Sequence, residues 1–99
     1  MKKVQAYAVV KTIGMDTILS SLSFRTYDKH LVNIIIPDDE NNPRFKTMKS
    51  VIKYILNIAK MNNYSIPLLY YEFGSAWYDI TFIDLAFPQP SRYGYYEEV

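Results

Sequence analysis

The side chains that come nearest to catalytic chemistry are three acids, Glu72, Asp79 and Asp84, in the segment from Ile66 to Phe87. Carboxylates clustered on adjacent strands are what a metal-dependent nuclease uses to hold Mg²⁺ and activate water. Asp79 and Asp84 are an odd number of residues apart, so a regular strand sends them to opposite faces. Glu72 and Asp79 lie close enough to Gly74-Ser75 to be a rim pair beside a turn, and no Glu-x-Lys spacing follows. The run Asp38-Asp39-Glu40 could bind a cation, but its place before a helix start explains it without one. His30 is the only histidine and there is no cysteine, so a zinc site would need mostly carboxylate ligands. Disulfides and cysteine nucleophiles are excluded outright. The three glycines at 14, 74 and 94 are isolated, which leaves no phosphate-cradling or dinucleotide fingerprint. The expectation is a protein with no catalytic residue, no metal and no cofactor.

Two other groups of residues suggest binding. Arg44, Lys46, Lys49, Lys53 and Lys60 fall in a stretch without acids between Pro43 and Met61. On a helix the four lysines project within about 60° of one another, a ridge able to follow phosphates. A solvated face explains the same pattern, because lysine is a good helix former and a common surface residue. The second group is aromatic: Tyr70, Tyr71, Trp77 and Tyr78 on strands, then Tyr93, Tyr95 and Tyr96 near the end. Exposed aromatics on a sheet can stack bases, but the glycine-rich basic signature of an RNA-binding strand is missing. Glu97 and Glu98 beside the last tyrosines would repel phosphate, so this group suits a protein partner better.

The elements that position these residues follow from periodicity. Val4–Ile13 alternates with Val4, Ala6, Ala8 and Val10 on one wholly apolar face, and Gly14 ends it. Thr17–Ser21 fits either a single helical turn capped by Asp16 or the beginning of a strand. Leu22–Tyr27 and His30–Ile36 flank Asp28-Lys29 and predict an antiparallel hairpin that Pro37 ends. Asn42 is placed as a helix N-cap with Pro43 at the first helical position. Apolar residues at 45, 48, 51, 52, 55, 56, 58 and 59 then form one stripe, and Asn62-Asn63 supplies the stop. Two strands joined at Gly74-Ser75 follow, with apolar groups on both faces, one for the helix and one for a partner chain. The order β-β-β-α-β-β predicts an α+β layer: an antiparallel or mixed sheet with one amphipathic helix across one face. Residues 1–90 form the single domain and 91–99 a tyrosine-rich acidic tail.

Hydrophobic residues at 49%, charged residues at 21% and a net charge of +1 place the chain among globular proteins, with no overall bias toward polyanions. No apolar run is long enough to cross a bilayer, and the basic start lacks the apolar core of a signal peptide. A soluble protein without a membrane partner is expected.

The whole chain, most clearly YYEFGSAWYDITFID and the following PQPSRYGYYEEV, resembles a small uncharacterised protein family of the lipothrixviruses and rudiviruses, including Acidianus filamentous viruses. These filamentous and rod-shaped viruses infect hyperthermophilic, acid-loving archaea. The resemblance implies a viral protein of the host cytoplasm or the virion that tolerates heat and acid. It brings no activity and no catalytic residues, and by analogy it raises the expectation of a homodimer. A cysteine-free, aromatic-rich chain suits such a setting, although 21% charged residues is not the charge-rich pattern of many hyperthermophile proteins. The expectation is a non-enzymatic accessory protein that binds a protein partner or itself. Nucleic-acid binding through the lysines is the alternative, and a nuclease the third.

Overall fold

The computed structural model describes residues 2–74, 76–82 and 88–89. The chain forms strands β1 (Lys2–Ile13), β2 (Asp16–Arg25), β3 (Leu31–Ile36) and β4 (Arg44–Phe45), then helix α1 (Met48–Met61). Strands β5 (Tyr64–Phe73), β6 (Ala76–Phe82) and β7 (Pro88–Gln89) follow. They join one mixed sheet in the order β3-β2-β1-β5-β6-β7, with β4 also on β2, and α1 lies on one face. This is the predicted α+β architecture. Pairing is antiparallel except between β1 and β5, which run parallel as the crossover through the helix requires. No helix among the described residues is long and apolar enough to cross a membrane.

The alternation in β1 has the expected effect. Val4, Ala6, Ala8 and Val10 are buried beneath the helix with Leu22, Phe24, Leu69, Tyr71 and Ile80 from neighbouring strands. From above, α1 contributes Val51, Ile52, Ile55 and Ala59. Gly14 has φ +62 at the first position of the two-residue turn joining Ile13 to Asp16, a conformation that only glycine adopts without cost. Gly74, at φ +67, holds the equivalent position between Phe73 and Ala76.

The ambiguous stretch Thr17–Ser21 is strand throughout, and the source of the ambiguity is a β-bulge. Val9 pairs with Ser21 while Val10 pairs with Leu19, so Ser20 is an extra residue. Thr17, Ile18, Leu19 and Ser20 are therefore all buried in succession, which erases the period of two. The extra residue also lets Leu19 and Leu22, three positions apart, both enter the core. Loop residues secure the bulge: the Ser20 hydroxyl donates to Asp38, and Asn42 Nδ2 donates to the Ser20 carbonyl at 2.7 Å.

That bond corrects the predicted helix start. Asn42 is not the N-cap; its amide also donates to the Pro37 carbonyl at 2.6 Å, and the Pro43 carbonyl accepts from the Leu19 N–H at 3.1 Å. Residues 42–45 thus cover the open edge of β2, with Thr17 opposite Phe45 and Ile18 opposite Arg44. The helix begins five residues later, where the extended Thr47 accepts from the Ser50 N–H at 3.2 Å. Asp38-Asp39-Glu40 consequently does not flank a helix N-terminus, and the first turn of α1 carries no acid. Removing the Thr47 hydroxyl (Thr47→Ala) is expected to cost about 1 kcal/mol, the usual loss of an N-cap. Urea midpoints will read it, and a loss under about 0.3 kcal/mol would deny Thr47 the capping role. At the other end Asn63 adopts the left-handed conformation, φ 60, as the Asn62-Asn63 stop predicts.

Candidate interaction surface

The helix covers one side of the sheet only. On the other side, side chains from successive strands align in rows set by the register. One row runs Ile34, Ser23, Tyr7, Tyr70, Asp79, and the next runs Ser21, Val9, Glu72, Trp77. Trp77 is 50% exposed and Ile34 is 59% exposed, with Leu31 and Tyr27 similarly open. Among the described residues no element covers this face, and large apolar groups gathered on such a face are the kind of surface that marks an interaction site.

The centre of this face is ordered by ring contacts. Tyr7 and Tyr70 stack with centroids 5.1 Å apart and planes 14° apart. Arg25 lays its guanidinium 4.6 Å from the centroid of Tyr7. The Tyr7 hydroxyl donates to Gln5 Oε1 at 2.8 Å, which fixes the ring and satisfies a nearly buried amide. Beside this stack lies an open hollow of about 310 Å³ lined by Tyr7, Tyr70, Trp77 and Tyr78. A second shallow groove of about 360 Å³ follows the β2–β3 edge past Ser21, Ser23, Leu31 and Ile34. Burial, and then the neighbouring Tyr70 phenol, hold the Tyr27 phenol above its ordinary value.

The predicted interaction residues are divided by strand alternation. Tyr70 and Trp77 lie on the open face. Tyr71 does not: it is 4% exposed on the helix side, stacked on Tyr78 with centroids 5.2 Å apart. Adjacent residues of a strand cannot share a face, so Tyr70 and Tyr71 could not both belong to one surface. Tyr78 is half-buried on the helix side and contributes only to the wall of the hollow. Tyr93, Tyr95 and Tyr96 lie outside the described residues. The face also includes Tyr7, Arg25 and Tyr27, which sequence reasoning missed. Tyr7 had a signal, as it sits on the polar side of the β1 alternation where an aromatic needs a reason.

The predicted lysine ridge is shortened. Arg44 and Lys46 precede the helix and converge on Asp16, Lys46 Nζ at 2.7 Å and Arg44 Nη1 at 3.8 Å. Lys49, Lys53 and Lys60 remain on α1, on the opposite side of the sheet from the aromatic face. Glu72 and Asp79 do share the open face, paired with Trp77 and Tyr70 respectively. Asp84 lies outside the described residues, and among the described residues no group of three acids or histidines is placed to hold a metal. His30 is an exposed turn residue 3.7 Å from Asp28.

Three carboxylates sit below their ordinary value near 3.8: Asp16 through the Lys46 hydrogen bond, Asp28 through the Thr26 hydroxyl, and Asp38 through the Ser20 hydroxyl. A depressed carboxylate contributes stability above its unfolded value and loses it as pH falls through the folded value. The loss therefore begins only below about pH 4, and solvent screening of these surface groups keeps it shallow. Denaturant midpoints should be level from pH 7 to 5, decline gently below that window, and decline less in Asp16→Asn. A steep fall between pH 5 and 2 would contradict this account.

No protein-family model, curated protein or solved structure matches this chain.

Proposed function

We propose that this is a non-enzymatic interaction protein, a viral accessory factor in keeping with the resemblance of its sequence, which docks a protein on the helix-free face of its sheet. The observation that supports this most is the asymmetry of the sheet: one face is sealed by α1, while the other holds an ordered Tyr7–Tyr70 stack beside a half-exposed Trp77. A solvated face would have no use for an aromatic row, whereas tryptophan, tyrosine and arginine are the residues that dominate protein interfaces. A second copy of the chain is the first partner to test. Sedimentation equilibrium from dilute to concentrated solution is expected to show reversible association that depends on Trp77. A strict monomer at high concentration removes the self-association form of the reading. Association or capture of another protein that survives Trp77→Glu but is lost on reversing the α1 lysines transfers the role to the helix.

The competing reading is nucleic-acid binding by Lys49, Lys53 and Lys60, favoured by a helix whose first turn has no acid. It is weakened by the ion pairs that occupy Arg44 and Lys46. Gel-shift titration with single- and double-stranded DNA at low salt separates the two, and absence of binding there removes it.

A further inference from the structure

We infer that the helix-free face closes on a second copy of the chain about a two-fold axis through Tyr7, with Arg25 of each copy set against Glu72 of the other. This rests on the helix-free face being the docking surface, and it specifies the partner and how it is seated.

Two opposite charges on this face have no counter-charge inside their own chain. Arg25 lies opposite Gln5 on β1, and Glu72 lies opposite Val9. Both are partly buried, and among the described residues neither is joined to an opposite charge. The Arg25 Nε–H is buried with no acceptor. Other charges around them are already engaged: Lys11 with Asp38 at 3.5 Å, and Asp28 with the Thr26 hydroxyl and the His30 N–H. Arg25 and Glu72 cannot serve each other either. Two strand spacings across and the step from Gln5 to Val9 along put them about 16 Å apart. That is about twice the screening length of about 8 Å at physiological salt.

Docking strips water from both groups, which is costly unless an opposite charge arrives at each. An acidic partner would meet only Arg25 and a basic one only Glu72, whereas a second copy supplies both. Tyr7 lies between Gln5 and Val9 on β1, and β1 lies between β2 and β5, so the midpoint of the Arg25–Glu72 line falls at Tyr7. A two-fold axis in the plane of contact, through that point and at right angles to the line, carries each Arg25 onto Glu72 of the other copy. An isologous interface repeats every contact, so this one match makes two ion pairs. Strands of the two sheets then cross steeply, close to the orthogonal class of sheet packing. Trp77 stands directly across from Glu72 and is carried beside the same arginine, adding a ring face to the carboxylate. Arg25 is already held over Tyr7, 4.6 Å from the ring centroid, so little freedom is lost when the pair forms.

The test is a charge exchange read by sedimentation equilibrium at one fixed total concentration. Arg25→Glu alone and Glu72→Arg alone each place two like-charge contacts in the homodimer, and each is expected to weaken association by about 10-fold or more. An equimolar mixture of the two variants is expected to recover association near that of the parent, because both contacts of the mixed dimer join opposite charges. Association of the parent should weaken as salt rises. A mixture that associates no better than the single variants, or a folded single variant that associates as the parent does, overturns the inference. If Arg25→Glu does not fold, Arg25→Gln takes its place, and its mixture with Glu72→Arg must still associate more tightly than Glu72→Arg alone. Association that is lost in Trp77→Glu yet ignores the charge exchange refutes this seating and leaves the docking surface standing. A parent that stays monomeric at high concentration refutes both.

Discussion

Truncation of Phe24 to alanine is expected to lower the free energy of unfolding by about 3–5 kcal/mol, the range for removing a fully buried aromatic. Phe24 has no exposed surface and sits opposite Ala6, where the sheet offers only a methyl group. Its ring meets Tyr64 edge-on, with centroids 5.2 Å apart and planes at 83°, so a directed ring contact is lost along with buried area. Relaxation cannot close the space, because β2 is held by β1 along one edge and by β3 and β4 along the other. A domain of this size has about 5–15 kcal/mol of total stability, so the variant should lie near the limit of folding. Urea denaturation of Phe24→Ala against Phe24→Leu measures it directly. A difference from the parent below about 1 kcal/mol would mean that the ring does not fill the core as described.

What could be read from the sequence, and what could not, divides by the range of the interactions involved. The clean alternation of Val4, Ala6, Ala8 and Val10 fixed the buried face of β1, and the apolar stripe fixed which side of α1 meets it. The left-handed Asn63 and the positive φ of Gly74 are local properties, and both follow from residue type. The bulge at Ser20 is different, since it depends on Asp38 and Asn42 some twenty residues away. That same distant bond removed Asn42 from capping and moved the helix start to Thr47, although Asn-Pro is the stronger local signal. The parallel pairing of β1 with β5 is likewise invisible to any local window, yet it brings Tyr7 against Tyr70. The candidate surface was therefore half legible. Tyr70 and Trp77 were found from composition, while Tyr7 and Arg25 became part of it only through strand order. Tyr71 belongs to the helix side, where strand alternation alone places it once Tyr70 faces the other way.

Replacing Trp77 by glutamate is expected to separate stability from binding more sharply than any other change. Trp77 is half-exposed on the helix-free face, so its loss opens no enclosed cavity, and unfolding should shift by about 1 kcal/mol, the scale of an altered cross-strand pair rather than of a core truncation. Binding should respond very differently. A tryptophan at the centre of an interface is commonly worth about 2 kcal/mol or more, which corresponds to weakening of about 30-fold. The new carboxylate also stands directly across from Glu72, turning the aromatic corner into like-charge repulsion in the unbound protein. Trp77→Phe keeps a ring without the added charge and should retain most of the affinity. Lys53→Glu, on the far side of the molecule, should leave association on the sheet face unchanged. Thermal unfolding and sedimentation of the three variants together separate the outcomes. If Trp77→Glu unfolds the protein, the residue belongs to the core; if it folds and associates as before, the helix-free face is not the working surface. A folded variant that has lost association assigns the docking role to the aromatic row on the helix-free face.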